Sequence, residues 1–168
     1  MTLRLFPPVE AKTHVWLTPP DLLAKLGEFD LDPCAAMDPR PWPTAAHHIA
    51  PPDNGLLMPW FGRVWLNPPY GPHAAKWLAR LAQHGNGIAL TFARTETRMF
   101  HEHVWPIADA LLFLANRPHF HDQFGTRARG GSGAPMCLIA YGRENVIALK
   151  RSHIAGALVM TLHHEVAA

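Results

Sequence analysis

The sequence has little of what is typical of secreted, membrane-spanning or zinc-binding proteins. It contains two cysteines in 168 residues, Cys34 and Cys137, which lie far apart and form no Cys-x-x-Cys pair. This argues against a disulfide scaffold and against a structural zinc site. The sequence also lacks an N-terminal apolar segment of the kind found in signal peptides, and it lacks the run of about 18 apolar residues that a membrane-spanning helix needs. We therefore expect a soluble protein of the cytoplasm with no membrane partner.

Excess charge and common cofactor motifs are lacking as well. The 15 basic and 13 acidic side chains give a net charge of +2, which is compatible with a polyanionic partner but too small to predict one. Twelve histidines are present, without a His-Glu-x-x-His motif or a Cys/His framework, so we predict no metal site. The length allows one domain with a core of its own. We predict an N-terminal arm over residues 1–13 and a single domain over residues 14–168.

Hydrophobic periodicity predicts an α/β fold. Strands are predicted near residues 28–32, 64–66 and 88–93, with an amphipathic helix over residues 72–83 between the last two. Strand, helix and strand within about 30 residues form a βαβ unit, which implies a parallel pair. We expect a mostly parallel central sheet flanked by helices.

The segments outside the βαβ unit are predicted to form one more helix, a long loop and two more strands. A short helix is predicted with Thr18 as its N-cap and Gly27 at its end. Prolines interrupt every window of residues 38–61, so this segment is predicted to be a long ordered loop. Two further strands are expected within residues 108–115 and 134–142, and residues 143–168 give only weak signals.

The most informative stretch is Asn67-Pro68-Pro69-Tyr70, which follows the apolar run Val64–Leu66. Proline lacks an amide donor and has a fixed φ, so this corner is stiff and offers mainly acceptors. The Asn67 side-chain oxygen and the Pro68 carbonyl can accept from one planar amino group, and the Tyr70 ring can stack on the heterocycle that carries it. The pattern predicts a binding site for a nucleobase amine.

This tetrapeptide resembles the catalytic motif of S-adenosylmethionine-dependent amino-methyltransferases, and its surroundings resemble the small phage-type DNA adenine-N6 methyltransferases. The resemblance implies an abbreviated Rossmann-like methyltransferase fold with S-adenosyl-L-methionine as cofactor. It implies DNA, in the cytoplasm of a bacterium or a phage host, as a double-stranded partner whose target adenine is flipped out. The catalytic residues would then be Asn67, Pro68, Pro69 and Tyr70.

The resemblance also implies a cofactor site. Asp32-Pro33-Cys34-Ala35 is similar to the first cofactor motif, although the Gly-x-Gly turn of many relatives is missing here. Thr18-Pro19 would border the methionine moiety, Asp53-Asn54-Gly55-Leu56 matches an Asp-Asn-x-Leu element, and Asp38 matches an acidic turn position. Either carboxylate can accept from ribose hydroxyls or from the adenine amine. Alternatively, Thr18-Pro19 only starts a helix, and Asp53-Asn54 only forms a turn. The predicted cofactor-binding residues are Thr18, Pro19, Asp32, Pro33, Cys34, Ala35, Asp38 and Asp53.

Basic residues near the same sheet edge are candidates for DNA contacts. Arg94-Thr95 follows a strand in a pattern that looks like the family's, and Arg94 can bind a phosphate or the cofactor carboxylate. The competing interpretation is a helix cap at Thr95 or Thr97. Residues 121–133 are basic and glycine-rich, so we expect a mobile loop in which Arg127 and Arg129 contact phosphates, unless it is merely a surface loop. Arg117 completes the set.

Two other functions use the same motif. The first is an amino-methyltransferase that acts on RNA or on protein glutamine, because release-factor methyltransferases carry the same tetrapeptide. The second is a catalytically inactive DNA-binding homologue that has kept the fold. Adenine is preferred over cytosine as the target on the resemblance alone.

Overall fold

The structure is a computed structural model that describes residues 15–161. It has an α/β architecture in which one seven-stranded sheet, of order β2-β1-β3-β4-β6-β5-β7, is flanked by helices. The predicted N-terminal arm lies outside the described residues. The strands are β1 (Leu31–Asp32), β2 (His47–His48), β3 (Val64–Leu66), β4 (Gly87–Phe92), β5 (Ala110–Leu114), β6 (Met136–Tyr141) and β7 (Gly156–Met160). The helices are α1 (Pro20–Ala24), α2 (Ala74–His84), α3 (Arg98–His103) and α4 (Arg143–Arg151).

The first four strands form the parallel half of the sheet. β1 pairs in parallel with both β2 and β3, and β3 pairs in parallel with β4. Helix α2 connects β3 to β4, which confirms the predicted βαβ unit. Its apolar residues at helical spacing, Ala74, Trp77, Leu78 and Leu81, are all buried, and it ends at Gly85 in the left-handed conformation.

The other half of the sheet is antiparallel, which corrects the prediction of a mostly parallel sheet. β6 runs antiparallel to its neighbours β4 and β5, and β7 runs antiparallel to β5. A parallel connection needs a crossover, usually a helix. Residues 115–135, between β5 and β6, are rich in glycine and proline and contain no helix, so the chain reverses there instead.

The two faces of the sheet carry separate parts of the core. On one face, Trp65, Ile88 and Leu138 pack together with Leu23 of α1 and Leu149 of α4. On the other face, side chains of alternate strand positions pack against α2 and α3, with Leu66 and Ala89 beside Leu78 and Phe100. Because successive strand residues point to opposite faces, each central strand is buried on both sides.

Two predicted elements differ from those observed. The proline-rich segment contains the short strand β2, which pairs with β1 and was not predicted. Helix α1 has Pro19 rather than Thr18 at its N-cap, and no side chain caps it. The Thr18 side chain is buried instead.

The order of the strands creates a switch point beside β1. From β1 the chain moves to β2 on one side and then returns to β3 on the other side. In such sheets ligands bind outside the carboxyl ends of the two strands at which the direction changes. Here those ends are Asp32 and Leu66, the residue before Asn67. Within residues 15–161 no helix has the length and apolar character needed to cross a membrane.

Candidate functional site

A cavity of about 660 Å³ lies at the carboxyl ends of β1 and β3. This volume is in the range of small-molecule and cofactor sites. Nine of the predicted catalytic and cofactor residues line it, although they come from four separate stretches of the chain. These nine residues are Thr18, Asp32, Cys34, Ala35, Asp53, Asn67, Pro68, Pro69 and Tyr70.

Asn67 is held in a defined orientation at the wall of the cavity. Its side-chain Nδ2 donates to the Trp16 carbonyl at 3.2 Å, and the Tyr70 hydroxyl lies 3.5 Å from its Oδ1. Because the Nδ2 end is bound by the protein, the Oδ1 end of the amide remains as an acceptor, and within residues 15–161 its one partner is the distant Tyr70 hydroxyl. This is the polarity that binding of an amino group requires.

Tyr70 is braced by two aromatic neighbours. Its ring stacks on Phe92 with centroids 4.3 Å apart and meets the Phe120 ring edge-on at 6.4 Å. Burial raises the pKa of the Tyr70 hydroxyl well above its usual range, because a phenolate is poorly solvated there. Tyr70 therefore stays neutral at physiological pH and offers an aromatic surface and a hydroxyl, not a base.

Asp32 is a buried carboxylate at the end of β1. Only 4% of it is exposed, its Oδ1 accepts from the Cys34 amide at 3.0 Å, and its Oδ2 accepts from the Thr44 hydroxyl at 2.5 Å. Burial raises its pKa to about 6, while the hydrogen bonds and the charge of Arg40 limit the rise. The group is thus mainly ionised at neutral pH and suits a cationic or hydroxyl-bearing ligand.

Several buried polar atoms near the cavity have no hydrogen-bond partner. In the described part of the chain they are Thr18 Oγ1, Arg40 Nε, Trp65 Nε1 and His121 Nδ1, and the first three belong to residues that line the cavity. Buried polar groups are normally paired, and leaving one unpaired costs about 1–3 kcal/mol. Three of these four unpaired groups thus belong to residues that line one cavity.

The Asp53-Asn54-Gly55 stretch packs tightly against the end of β1. A Cβ atom on Gly55 would lie 1.8 Å from the Pro33 carbonyl oxygen, and the Gly55 carbonyl accepts from Trp60 Nε1 at 2.7 Å. Asn54 Oδ1 accepts from the Leu56 amide at 3.0 Å, as in an Asx turn. The stretch therefore forms a turn, as one interpretation predicted, and it also lines the cavity. Its contact with a cofactor stays a prediction.

Three predicted cofactor residues do not line this cavity. Pro19 is buried and borders a second cavity. Pro33 contributes its carbonyl to the contact with Gly55. Asp38 is exposed and forms an ion pair at 3.1 Å with Arg40, which lines the cavity.

The predicted DNA-binding residues lie outside the cavity. Arg94 is exposed with its guanidinium 5.8 Å from the Phe92 ring centroid, and the Thr95 carbonyl accepts from Trp105 Nε1. Thr97 is the N-cap of α3, as the helix-cap interpretation expects, but its hydroxyl donates back to the Arg94 carbonyl. Arg117 and Arg127 line the second cavity, whereas Arg129 is exposed and lines neither.

Sequence reasoning missed about half of the cavity lining. The missed residues with polar or aromatic side chains are Trp16, Arg40, Trp42, Thr44, Trp65 and Trp77. Trp65 lies in a predicted strand and Trp77 in the predicted amphipathic helix, and both are buried. The only available signal was their closeness in sequence to the Asn67 corner, and it does not distinguish a core residue from one that also lines a cavity.

Comparisons of the chain with protein-family models, with curated proteins and with solved structures find no match. Within residues 15–161, no three His, Cys, Asp or Glu side chains are grouped as metal ligands would be.

Proposed function

We propose that the protein is an S-adenosylmethionine-dependent methyltransferase that acts on the exocyclic N6 amine of adenine in DNA, in a bacterial or host cytoplasm. The observation that carries the proposal is the single cavity lined both by Asn67–Tyr70 and by Asp32 and Asp53. This cavity lies at the switch point of the sheet, where α/β proteins bind nucleotides. A nucleobase site and a site for a nucleoside cofactor would thus adjoin, as methyl transfer requires.

The residues present fit the cofactor. S-adenosylmethionine carries an ammonium, a carboxylate, ribose hydroxyls and an adenine ring. The buried Asp32 carboxylate suits the ammonium or a hydroxyl, and Asp53 supplies further acceptors. Thr18 and Trp65, whose Oγ1 and Nε1 atoms have no partner among the described residues, belong to the same lining. Indole rings such as that of Trp77 provide an apolar surface for the adenine.

The protein's own contribution to the chemistry is to hold the amine. When bound, the cofactor supplies an activated methyl group on a sulfonium, so no strong base is needed. Asn67 Oδ1 and the Pro68 carbonyl accept hydrogen bonds from the two N–H groups of the amine. This arrangement favours a pyramidal nitrogen whose lone pair points at the methyl group. This lone pair would form the new N–C bond as the S–C bond of the sulfonium breaks, which leaves a neutral thioether, and the surplus proton of the amine would pass to water. Such alignment supplies several kcal/mol of the barrier reduction.

Duplex DNA presents this amine stacked and paired, so the base must leave the helix to enter the cavity. The Tyr70 ring, braced by Phe92, replaces part of the lost stacking. Arg94, Arg117, Arg127 and Arg129 are the proposed contacts to the phosphates, with Thr95 beside Arg94.

The test separates transfer from cofactor binding. Asn67→Ala and Tyr70→Ala should lower the transfer of radiolabelled methyl groups to DNA by about 100-fold or more, since they remove positioning groups. Both should bind S-adenosylhomocysteine within a few fold of the wild type in calorimetric titrations. Asp32→Ala and Asp53→Ala should instead weaken cofactor binding. Lys150→Ala, at an exposed position of α4, serves as the control.

The same assay distinguishes the alternatives. Transfer to RNA or to a glutamine-containing protein, but not to DNA, would refute the proposed substrate. Wild-type protein that binds neither S-adenosylmethionine nor S-adenosylhomocysteine would refute the enzyme and leave the inactive DNA-binding homologue. Mapping of modified adenines in DNA from cells that express the protein would identify the recognised sequence.

A further inference from the structure

A second cavity, of about 950 Å³, lies between α1, the end of β5 and the segment that follows β5. Pro19, Pro20 and Leu22 form its wall on the side of α1, and Leu114 and Ile154 contribute from the sheet and its last connection. Neither the Asn67 corner nor Asp32 lines it. It is therefore a separate site, which the methyl-transfer chemistry does not use.

The lining of the second cavity is strongly basic. Lys25, Arg117 and Arg127 line it together with His119 and His121, and Asp21 is the one carboxylate among the described residues of the lining. Among residues 15–161, none of the three cationic side chains forms an ion pair. Unpaired cations that face one concave surface repel one another and attract an anion, and they have more positive charge than Asp21 can neutralise.

The backbone around these cations is held in place. His121 pairs with Arg127 across a short antiparallel bridge, and the Ala128 amide donates to the Phe120 carbonyl at 2.8 Å. Asp122 accepts from the amides of Phe124 and Thr126, each at 2.9 Å. Residues 120–128 thus form an internally hydrogen-bonded turn.

Arg117 is positioned against the same segment. A Cβ atom on Gly131 would lie 2.8 Å from the Arg117 Cβ, so the backbone at Gly131 packs directly on Arg117. The Ser132 amide donates to the Pro118 carbonyl at 2.9 Å. A backbone that is already fixed beside Arg117 lowers the entropy that is lost when a ligand binds there.

The two cavities share a wall. Leu17 lines the first cavity and pairs with His121, which lines the second. The Trp42 ring, also in the first cavity, packs edge-on against the His121 ring with centroids 5.1 Å apart. The two cavities are therefore neighbours, separated in this region by one layer of side chains.

We propose that the second cavity binds the phosphodiester backbone of the DNA strand whose base occupies the first cavity, with Lys25, Arg117 and Arg127 as the phosphate contacts. The naming of DNA rests on the proposed function. This proposal extends the DNA-binding surface to Lys25, His119 and His121. It does not include Arg94 or Arg129, which lie outside this cavity. The cavity then fixes the position of the strand while the first cavity reads the base.

The test measures how DNA binding depends on salt. The binding constant K falls as salt rises, and each phosphate contact that is lost lowers the magnitude of the slope of log K against log salt by about 0.9. The double variant Arg117→Gln/Arg127→Gln should lower the slope by about 1.8. Binding is followed by the anisotropy of a fluorescein-labelled, mixed-sequence DNA duplex over a series of KCl concentrations. The matched control is Lys150→Gln/Arg151→Gln, which removes the same charge from exposed positions of α4 and should leave the slope unchanged.

Further variants guard against misfolding. Lys25 is exposed just beyond α1, so Lys25→Gln should fold normally and lower the slope by about 0.9. Arg117→Lys keeps the charge and should retain the wild-type slope. Equal slopes for the wild type and the cavity variants, or equal losses in the cavity and α4 variants, would overturn the proposal. So would binding of an RNA hairpin with no binding of the DNA duplex.

The two proposals fail separately. Loss of salt-dependent DNA binding in the cavity variants, in a protein that does not bind S-adenosylmethionine, supports the second cavity and refutes the methyltransferase. Normal cofactor titration and methyl transfer in the wild type, with unchanged slopes in the cavity variants, supports the methyltransferase and refutes the second cavity.

Discussion

At the scale of single residues, the buried carboxyl group of Asp32 has the strongest electrostatic consequence. Its pKa in the folded protein is about 6, compared with 3.8 for a solvated aspartate. The folded state therefore holds this proton more tightly than the unfolded state. Between these two pKa values the unfolded chain loses its proton first, so stability falls as pH rises. This residue keeps an ionised group at the cavity at the expense of stability.

Asp32→Asn should remove this pH dependence. Relative to the variant, we expect the wild type to lose up to about 3 kcal/mol of stability between about pH 4 and pH 7, since a shift of one pKa unit corresponds to about 1.4 kcal/mol. Urea unfolding of both proteins at the two pH values measures the difference. A difference that is the same at both values would contradict the shifted pKa. The variant should also bind S-adenosylmethionine more weakly at pH 7.

The sequence predicted those site residues that lie close together in the chain and missed some of those that lie far apart. Asn67 and Tyr70 lie three residues apart on a corner braced by two prolines, so their proximity follows from local geometry. Thr44 contacts Asp32 across 12 positions of the proline-rich segment, and no periodicity places it there. Arg40 was missed for the same reason, although it lines the cavity.

At the scale of elements, the loop that follows β2 forms one wall of the cavity because it fits closely against the end of β1. Gly55 makes this fit possible, since any Cβ there would collide with the Pro33 carbonyl and approach Trp77 to 3.2 Å. The collision involves backbone atoms, which cannot rotate out of the way as a side chain can.

Gly55→Ala should therefore push the loop from β1 and disturb the wall that carries Asp53. We expect a loss of about 1–3 kcal/mol in the free energy of unfolding, typical of overpacking, together with weaker cofactor binding. Gly130→Ala is the control, because nothing lies within 4 Å of a Cβ there. Urea titrations and calorimetry measure the two effects, and equal behaviour of the two variants would contradict this account.

Element prediction succeeded where the pattern was long. Helix α2 has 11 residues and three turns of consistent apolar spacing, which local sequence specifies well. Strand β2 has two residues, so its existence depends on pairing with β1 and not on its own composition. The start of α1 was predicted one position early, because both Pro19 and Pro20 suit the first turn of a helix.

At the scale of the whole molecule, Arg63 connects distant parts of the chain. It is 8% exposed, and its guanidinium donates to the Asn145 side chain at 2.7 Å and to the Glu28 and Leu26 carbonyls at 2.6 and 2.9 Å. The same group lies 4.2 Å from the Phe29 ring centroid. Arg63 thus joins the segment between α1 and β1 to α4.

Arg63→Lys keeps the charge but cannot reproduce the fork of donors. We expect a loss of about 2–4 kcal/mol in unfolding free energy, because buried acceptors are left without partners. Arg151→Lys at an exposed position serves as the control and should change stability by less than about 0.5 kcal/mol. Chemical denaturation of the two variants measures both values, and a neutral Arg63→Lys would show that the hydrogen bonds to Arg63 do not contribute net stability.

The sequence by itself determined the stiff acceptor corner at Asn67–Tyr70, the βαβ unit around α2 and the end of β1 at Asp32, because each depends on bonds and spacings within a few residues. Only the tertiary structure decided that β6 pairs antiparallel with both β4 and β5. It also decided that Thr44 and Gly55 meet the end of β1 and that a basic cavity adjoins the first one. These features arise from contacts between segments far apart in the chain, whose formation depends on the packing of the whole core and leaves no local pattern in the sequence.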